Sequence, residues 1–473
     1  MADRHRRRGS QPLRFLILAL VLAVIAGVGA VWGKSMLTAS GVLRDEGAST
    51  IPSSLYSPTP AAGGPGGRGV VAAATPAANS STPANPAAVA SRIAAVPTAQ
   101  PGTLGAASVD LATGTQLYSK NADALLTPAS NLKVLTGISL LNVVDAGTTF
   151  ATKVVRSADA ASTITLVGGG DPYLQATPST TNPEFASTQD LARRTTAALK
   201  KNGLTSVTLD YDDSLFTADT WSTAWPAGYA DQVTHISALW ANEGMADGSA
   251  TRSTTPSLQA ATTFATQLKA AGITVTGTPA AKKAPTSAAE LARVESAPVE
   301  TLLKTALLHS DNSATEVLGR QAALAAGKPG SFAGATATVQ AQLTRLGAWQ
   351  QGAVLQDTSG LSRGNRVSAT MLEKAWRAAL TTRRLQPIAD AVPVAQVSGS
   401  LASRFGDAAD VAGRGVVHAK TGTLTGVSSL SGWIRTADGR VIVQAFLLNN
   451  SADDSASHTW LDAAWSAVAS CGC

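Results

Sequence analysis

Apolar positions along this 473-residue chain change their spacing several times, and each change predicts an element. An unbroken run of apolar and glycine residues over 15–32 comes first, followed by a stretch with no apolar period up to about residue 100. Alternation at 106–111 and 116–118, around Ala112-Thr113-Gly114, predicts two strands. Leu132, Leu135, Ile138, Leu140 and Leu141 then recur at helical spacing, with Thr127 expected as N-cap and Pro128 in the first turn. Over 150–286, short β-type runs at 153–156, 163–167 and 207–211 are broken by Gly, Pro and Asp and interleaved with helical stretches at 188–201 and 257–271. Helical spacing returns over 298–325, with a break at Ser310 and a second helix from about Asn312. Near the end, 416–420, 428–435 and 441–448 alternate as strands, and Ala437-Asp438-Gly439 supplies a hairpin turn. Residues 454–470 close as a helix with Trp460, Leu461, Ala464, Trp465 and Val468 on one face. Two strands at the start, three at the end and helices between predict an α+β domain whose antiparallel sheet uses both ends of the chain. An α+β insertion interrupts it.

Composition changes the picture mainly at the N-terminus. The net charge is +6, but five arginines against Asp3 place +4 of it in residues 1–14. The remaining +2 gives no nucleic-acid surface. That basic cluster ahead of the apolar run 15–32 is the pattern of an exported chain, either anchored by the run or cleaved after it as a signal. Nine of the 22 prolines fall between Pro52 and Pro101, amid Ala, Gly, Ser and Thr, so this segment reads as a disordered stalk. The expected organisation is residues 1–34 as basic tail and membrane anchor or signal, 35–100 as stalk, 101–149 as the first part of the catalytic domain, 150–288 as an inserted domain and 289–473 as the second part. Cys471 and Cys473, separated by one glycine, read as a labile pair, as bonds to another chain, or as residues without a role.

Three short motifs carry the chemistry: Ser130-Asn131-Leu132-Lys133, Ser310-Asp311-Asn312 and Lys420-Thr421-Gly422-Thr423. Ser130 is the one serine lying three residues before a lysine, and Lys-Thr-Gly occurs once. Ser-x-Asn occurs a second time at Ser119-Lys120-Asn121, ahead of the nucleophile in an expected strand-to-loop position, and is set aside. A serine hydroxyl needs a neighbouring base, and a lysine one helical turn on can reach it if it is neutral. Burial and a second cation lower a lysine's pKa, and Lys420 is expected as that cation. Ser310 can carry a proton to a leaving amine, and Asn312 can hold a substrate amide. Lys420, Thr421 and Thr423 can hold a carboxylate, with the backbone N–H groups of Ser130 and Thr423 as an oxyanion hole.

Rival chemistries find no support. H-E-x-x-H is absent, and His5, His235, His309, His418 and His458 form no metal pattern, so no metal or organic cofactor is implied. His309 and His418 abut two motifs and are read as packing residues or supports behind the site rather than catalytic bases, since the lysines fill that role. Gly168-Gly169-Gly170-Asp171-Pro172 lacks a P-loop lysine and is read as a turn.

The ordered motif set is that of penicillin-binding proteins and serine β-lactamases. Further stretches make the chain resemble one branch, the class C, type-4 low-molecular-mass penicillin-binding proteins, which are D-alanyl-D-alanine carboxypeptidases and endopeptidases of peptidase family S13. These are the Gly168–172 turn, Asp212-Asp213-Ser214-Leu215-Phe216 with Trp225-Pro226, Asp357-Thr358-Ser359-Gly360-Leu361-Ser362, and Gly399-Ser400-Leu401 with Arg404-Phe405. The resemblance covers about residues 102–450. It implies the transpeptidase/β-lactamase-like fold, a five-stranded antiparallel sheet flanked by helices. It also implies an acyl-enzyme at Ser130 with Lys133 as base, Ser310 and Asn312 as second element and Lys420–Thr423 as third. Implied partners are peptidoglycan stem peptides ending in D-Ala-D-Ala, and β-lactams as inhibitors, acting outside the cytoplasm. Ser130 and Ser310 lie only 180 positions apart, which is short for the family, so one inserted domain is expected rather than two. A β-lactamase-like hydrolase or D-amino-acid esterase of this fold, and a weakly catalytic envelope protein that binds peptidoglycan, are the competing readings.

Overall fold

The structure, a computed structural model, describes residues 84–157, 162–245 and 251–472. The basic tail, the apolar run 15–32, most of the stalk and Cys473 lie outside the described residues. Among those described, no helix is long and apolar enough to cross a membrane.

Strands β1 (Thr103–Asp110) and β2 (Gln116–Lys120) form a hairpin. From the other end of the chain come β8 (Val417–Leu424), β9 (Val427–Arg435) and β10 (Val441–Asn449). The order is β2-β1-β10-β9-β8, antiparallel throughout, with Leu104 opposite Leu448 and Lys420 opposite Ser431. This is the predicted sheet. Strand alternation sends Leu104, Ala106, Leu430, Ile434, Ile442, Phe446 and Leu448 to one face. There they pack on Trp460, Leu461 and Trp465 of the C-terminal helix α9 (Asp454–Ala469). Ala107, Val443, Ala445 and Leu447 face the opposite core, which holds α2 (Leu132–Val143), α5 (Val299–Leu308), α6 (Asn312–Ala325), α7 (Phe332–Arg345) and α8 (Ala369–Thr381). Each fully buried tryptophan contributes roughly 4–6 kcal/mol of transfer free energy to these layers, from about 150–250 Å² of ring.

Ordered structure begins earlier than expected. Helix α1 (Pro86–Ala94) lies inside the segment read as disordered stalk. Its Ala/Pro-rich composition hides good helix chemistry: Asn85 caps Ala87 N (2.9 Å), Pro86 occupies N1, and Val89 and Ile93, four apart, bury one face against α9's core. Arg92 donates to Ser470 Oγ at 2.9 Å. Cys471, just past α9, is buried and disulfide-bonded.

The insertion leaves the domain after α2 and forms its own mixed sheet, ordered β6-β5-β4-β3-β7. Its strands are β3 (Ala151–Arg156), β4 (Thr163–Val167), β5 (Ser206–Asp212), β6 (Thr274–Ala281) and β7 (Ala289–Glu295). Parallel β4–β5 and β5–β6 pairs require crossovers, which α3 (Thr188–Lys201) and α4 (Pro256–Ala270) provide. The predicted boundary at 288 is too early, because β7 pairs with β3 and carries the insertion to Glu295. Strand β7 is mostly exposed and mixes charge with Ala and Leu, so its sequence shows little alternation. The two crossings are tied together where Ser296 N donates to Phe150 O and Phe150 N to Ser296 Oγ, both at 2.9 Å.

Candidate active site

Ser130 sits in the 3-10 turn Ala129–Asn131 that leads into α2. The expected cap at Thr127 is not formed. Its N–H goes to Asn449 Oδ1 (2.9 Å) and its hydroxyl takes a bond from Arg366, so tertiary contacts use both groups. The turn is instead pinned from the sheet. Ser429 Oγ donates to Pro128 O (2.7 Å), and Asn131, fully buried, donates to Ser429 Oγ and accepts from Ser431 Oγ. A Cβ on Gly422 would stand 2.3 Å from Ser429 Oγ and 3.0 Å from Ser130 N, so only glycine lets β8 pass the Ser130 turn this closely.

All three motifs meet here. Lys133 Nζ, completely buried, donates to Ser130 Oγ (2.9 Å), Asn312 Oδ1 (2.6 Å) and Ser359 O (2.7 Å). Lys420 Nζ, also completely buried, donates to Ser310 Oγ (2.8 Å) and to Thr421 O (2.8 Å). Ser310 holds a left-handed backbone, φ 56°, directly before Asp311 caps α6 through Ala314 N (2.9 Å). Ser119-Lys120-Asn121 lies at the end of β2.

Burial lowers both lysines, as neither ammonium reaches water. Lys133 falls only to about 8, because Asp357, Asp311 and Glu316 pull it back up. Lys420 is driven well below its usual value by burial and by the positive charge of Lys133. The carboxylates stand around Lys133, and its positive charge adds to the burial that lowers Lys420.

Sequence reasoning missed the frame that aims Lys133. Glu316, buried on α6, accepts from Ser359 N (2.7 Å), Thr358 N (3.0 Å) and Thr358 Oγ1 (2.7 Å). Asp357 accepts from Gly360 N, Ser362 N and Asn365 Nδ2 at 2.6–2.9 Å. Together they fold the 357–362 loop so that Ser359's carbonyl meets Lys133. Burial raises Glu316 to about 7, with the Asp357 charge adding to the effect. The available signal was a glutamate one helical turn past Asn312 and one before Arg320. Gly360 (φ +89) locks the loop to the nucleophile turn, since a Cβ there would fall 1.9 Å from Ala129 O. Gly360→Ala is therefore expected to lower stability by about 2–4 kcal/mol in chemical denaturation.

The insertion forms part of this wall. Gln232 O accepts from Asn312 Nδ2 (3.0 Å), Trp225 Nε1 donates to Asp357 Oδ2 (2.8 Å), and Tyr173 OH donates to Asp311 Oδ2 (3.2 Å). The 168–171 stretch runs on irregularly from β4 into a turn at Pro172–Tyr173, and is held to α6 by Gln321 Nε2 on Gly169 O (2.7 Å). His418 stacks on Trp433 with ring centroids 3.8 Å apart, and burial with Arg435 nearby pushes it down to about 4. His309 is exposed at the end of α5. Among the described residues no group of three or more His, Cys, Asp or Glu side chains is placed to hold a metal.

A serine and a lysine in hydrogen-bond contact at the start of a buried helix, faced by a Ser–Lys pair and a sheet-edge strand, define a serine acyl-enzyme hydrolase of the penicillin-binding-protein transpeptidase fold. The crystal structure of penicillin-binding protein 4 from Haemophilus influenzae shares that fold, with a TM-score of 0.67, 20% identity, and coverage of 80% of this chain and 98% of that one. The model of the D-Ala-D-Ala carboxypeptidase 3 (S13) family matches residues 86–254 and 239–468, and the chain belongs to that family of serine D-Ala-D-Ala carboxypeptidases. It is similar to carboxypeptidase DacB of Mycolicibacterium smegmatis, 31% identical with 99% of each chain covered. A carboxypeptidase of Mycobacterium tuberculosis is 33% identical, over 79% of this chain and 81% of that one.

Proposed function

We propose that Ser130 is the nucleophile acylated by the D-Ala-D-Ala end of peptidoglycan stem peptides. The observation that carries this is the 2.9 Å contact between Ser130 Oγ and a buried Lys133. Neutral Lys133 takes the hydroxyl proton as Oγ bonds to the carbonyl carbon of the penultimate D-Ala. The N–H groups of Ser130 and Thr423 receive the oxyanion. Ser310 passes its proton to the leaving nitrogen and is reprotonated from the lysine pair, the C–N bond breaks, and D-Ala departs. Water then attacks the ester with Lys133 again as base. Asn312 fixes Lys133 through Oδ1, and a proton of its amide nitrogen serves the substrate amide. Lys420, Thr421 and Thr423 hold the terminal carboxylate. β-Lactams enter as acyl donors at the same serine, and the H. influenzae protein has been crystallised with a β-lactam. The basic tail and apolar run 15–32 support an exported enzyme tethered to the membrane, with endopeptidase cleavage of D-Ala cross-bridges as an accessory activity on the same acyl-enzyme route.

The test is release of D-Ala from a diacetylated L-Lys-D-Ala-D-Ala peptide and from a cross-linked stem dimer, beside intact-mass detection of a benzylpenicillin adduct. D-Ala release with a one-drug adduct supports the reading. Penicillin hydrolysed with no peptide turnover overturns it.

A base must be unprotonated to act. With Lys133 near 8, about a tenth of it is neutral at pH 7. The acylation rate is expected to rise about tenfold per unit from pH 6 to 7 and to level off above about 8, measured with a fluorescent penicillin.

A further inference from the structure

Each threonine hydroxyl of the 420–423 strand has a second polar group set against it. Ser400 Oγ lies 2.6 Å from Thr421 Oγ1, and His458 Nε2 lies 3.2 Å from Thr423 Oγ1. The two come from unrelated elements, the 3-10 turn Gly399–Leu401 and helix α9. Neither touches the Ser130–Lys133 or Ser310–Lys420 pairs, so the acyl-transfer steps leave both without a role.

A hydroxyl has one proton and two lone pairs. A threonine that spends its proton on a neighbour meets an incoming carboxylate with lone pairs only, which repels it. A threonine that accepts from its neighbour keeps its own proton for the carboxylate. We infer that Ser400 and His458 are positioning residues for carboxylate recognition: each donates to its threonine and turns that threonine's proton toward the terminal carboxylate of the substrate. This rests on the reading above that Thr421 and Thr423 receive that carboxylate.

Both donors are held in place. Gly399 adopts φ +57°, and a Cβ there would lie 2.7 Å from Leu308 O, so the Ser400 turn is seated against the end of α5, next to Ser310. The turn is also closed by Gln396 N on Leu401 O (3.0 Å). His458 is half-buried, and the groups around its ring are Arg404, Asp462, Asp454 and Thr423. Arg404 ion-pairs with Asp462 (2.6 Å) and also donates to the His458 carbonyl (3.3 Å). Burial and the Arg404 charge push the imidazole down to about 4, against the pull of both aspartates, so it is neutral in the working range. A neutral imidazole has one N–H, and placing it on Nε2 makes His458 a donor to Thr423. The site then reads a carboxylate through hydroxyl direction and Lys420, with His458 adding a donor but no charge.

The experiment uses two matched N-acyl-D-Ala thioesters whose leaving thiols carry a carboxylate or a carboxamide. Both acylate Ser130 by the same bond changes and differ only in the charge to be recognised. Wild type is expected to prefer the carboxylate strongly in kcat/KM. Ser400→Ala and His458→Leu are each expected to lower kcat/KM for the carboxylate ester about tenfold, mainly through KM, with the carboxamide ester changed by less than about twofold. His458→Gln and Ser400→Thr, which keep an N–H or O–H donor, are expected to restore most of the preference. Equal losses on both esters would mean a purely structural role and would overturn the inference, as would an unchanged preference in the variants. A wild type that does not discriminate between the esters would overturn the underlying assignment of Thr421 and Thr423 instead.

Discussion

Ser130→Ala is expected to form no covalent adduct with benzylpenicillin, by intact mass, at any time at which wild type is fully labelled. The Oγ is the one atom of the site placed by both the 129–131 turn and Lys133 Nζ, and removing it removes the bond-forming electron pair. Peptide turnover is expected to fall by at least about 10⁴-fold, to the residue that binding and the oxyanion donors alone sustain. The fold is expected to remain, because Ser130 is half-exposed and Lys133 keeps Asn312 Oδ1 and the Ser359 carbonyl as acceptors. A drug adduct of unchanged mass on the variant would move the nucleophile elsewhere.

Lys133→Met is expected to slow acylation about 10³–10⁴-fold while leaving Ser130 in place. Methionine fills similar space but cannot accept the serine proton. The acid limb near pH 8 is expected to vanish with the base, so the small remaining rate should be nearly flat between pH 6 and 8. Folding is expected to survive, since Glu316 retains its three donors and, held near 7 by burial, can take up a proton once the ammonium is gone. Stopped-flow acylation with thermal unfolding checks both parts. A rate within tenfold of wild type, with its limb intact, would assign the base to another group, Lys420 being the nearest alternative.

The legible parts of this protein were those in which a short stretch of chain carries its own pattern. The β8–β9–β10 strands were legible as short apolar-rich runs between turn residues, and α9 by its apolar stripe, which meets Leu430, Ile434, Ile442 and Phe446 in one core. Ser130, Lys133, Ser310, Asn312 and Lys420 were readable because their chemistry demands fixed residue types at fixed spacings, and the structure gathers them into one cluster. What escaped depends on contacts between distant segments. Thr127 looks like a cap until Asn449 and Arg366 occupy it. Helix α1 looks like stalk until Val89 and Ile93 find the α9 core. Ser359 contributes only a carbonyl oxygen, which no residue type announces, and its aim comes from Glu316, 43 positions away. How far Lys133 is lowered depends on carboxylates from α6 and the 357–362 loop.

The pairing of β1 with β10 also governs timing. Leu104 and Leu448 are neighbours across the sheet yet lie at opposite ends of the folded chain, so the first strand waits for nearly the last before either is satisfied. The insertion has no such wait, because its five strands all fall between Ala151 and Glu295 and can close as a unit while the rest of the chain is still arriving. Ser130 meets Gly422 only when that final hairpin docks. The acyl-transfer cluster is thus completed by the last segment of the fold to dock, and a chain folded only as far as its insertion would hold Ser130 and Lys133 without Lys420.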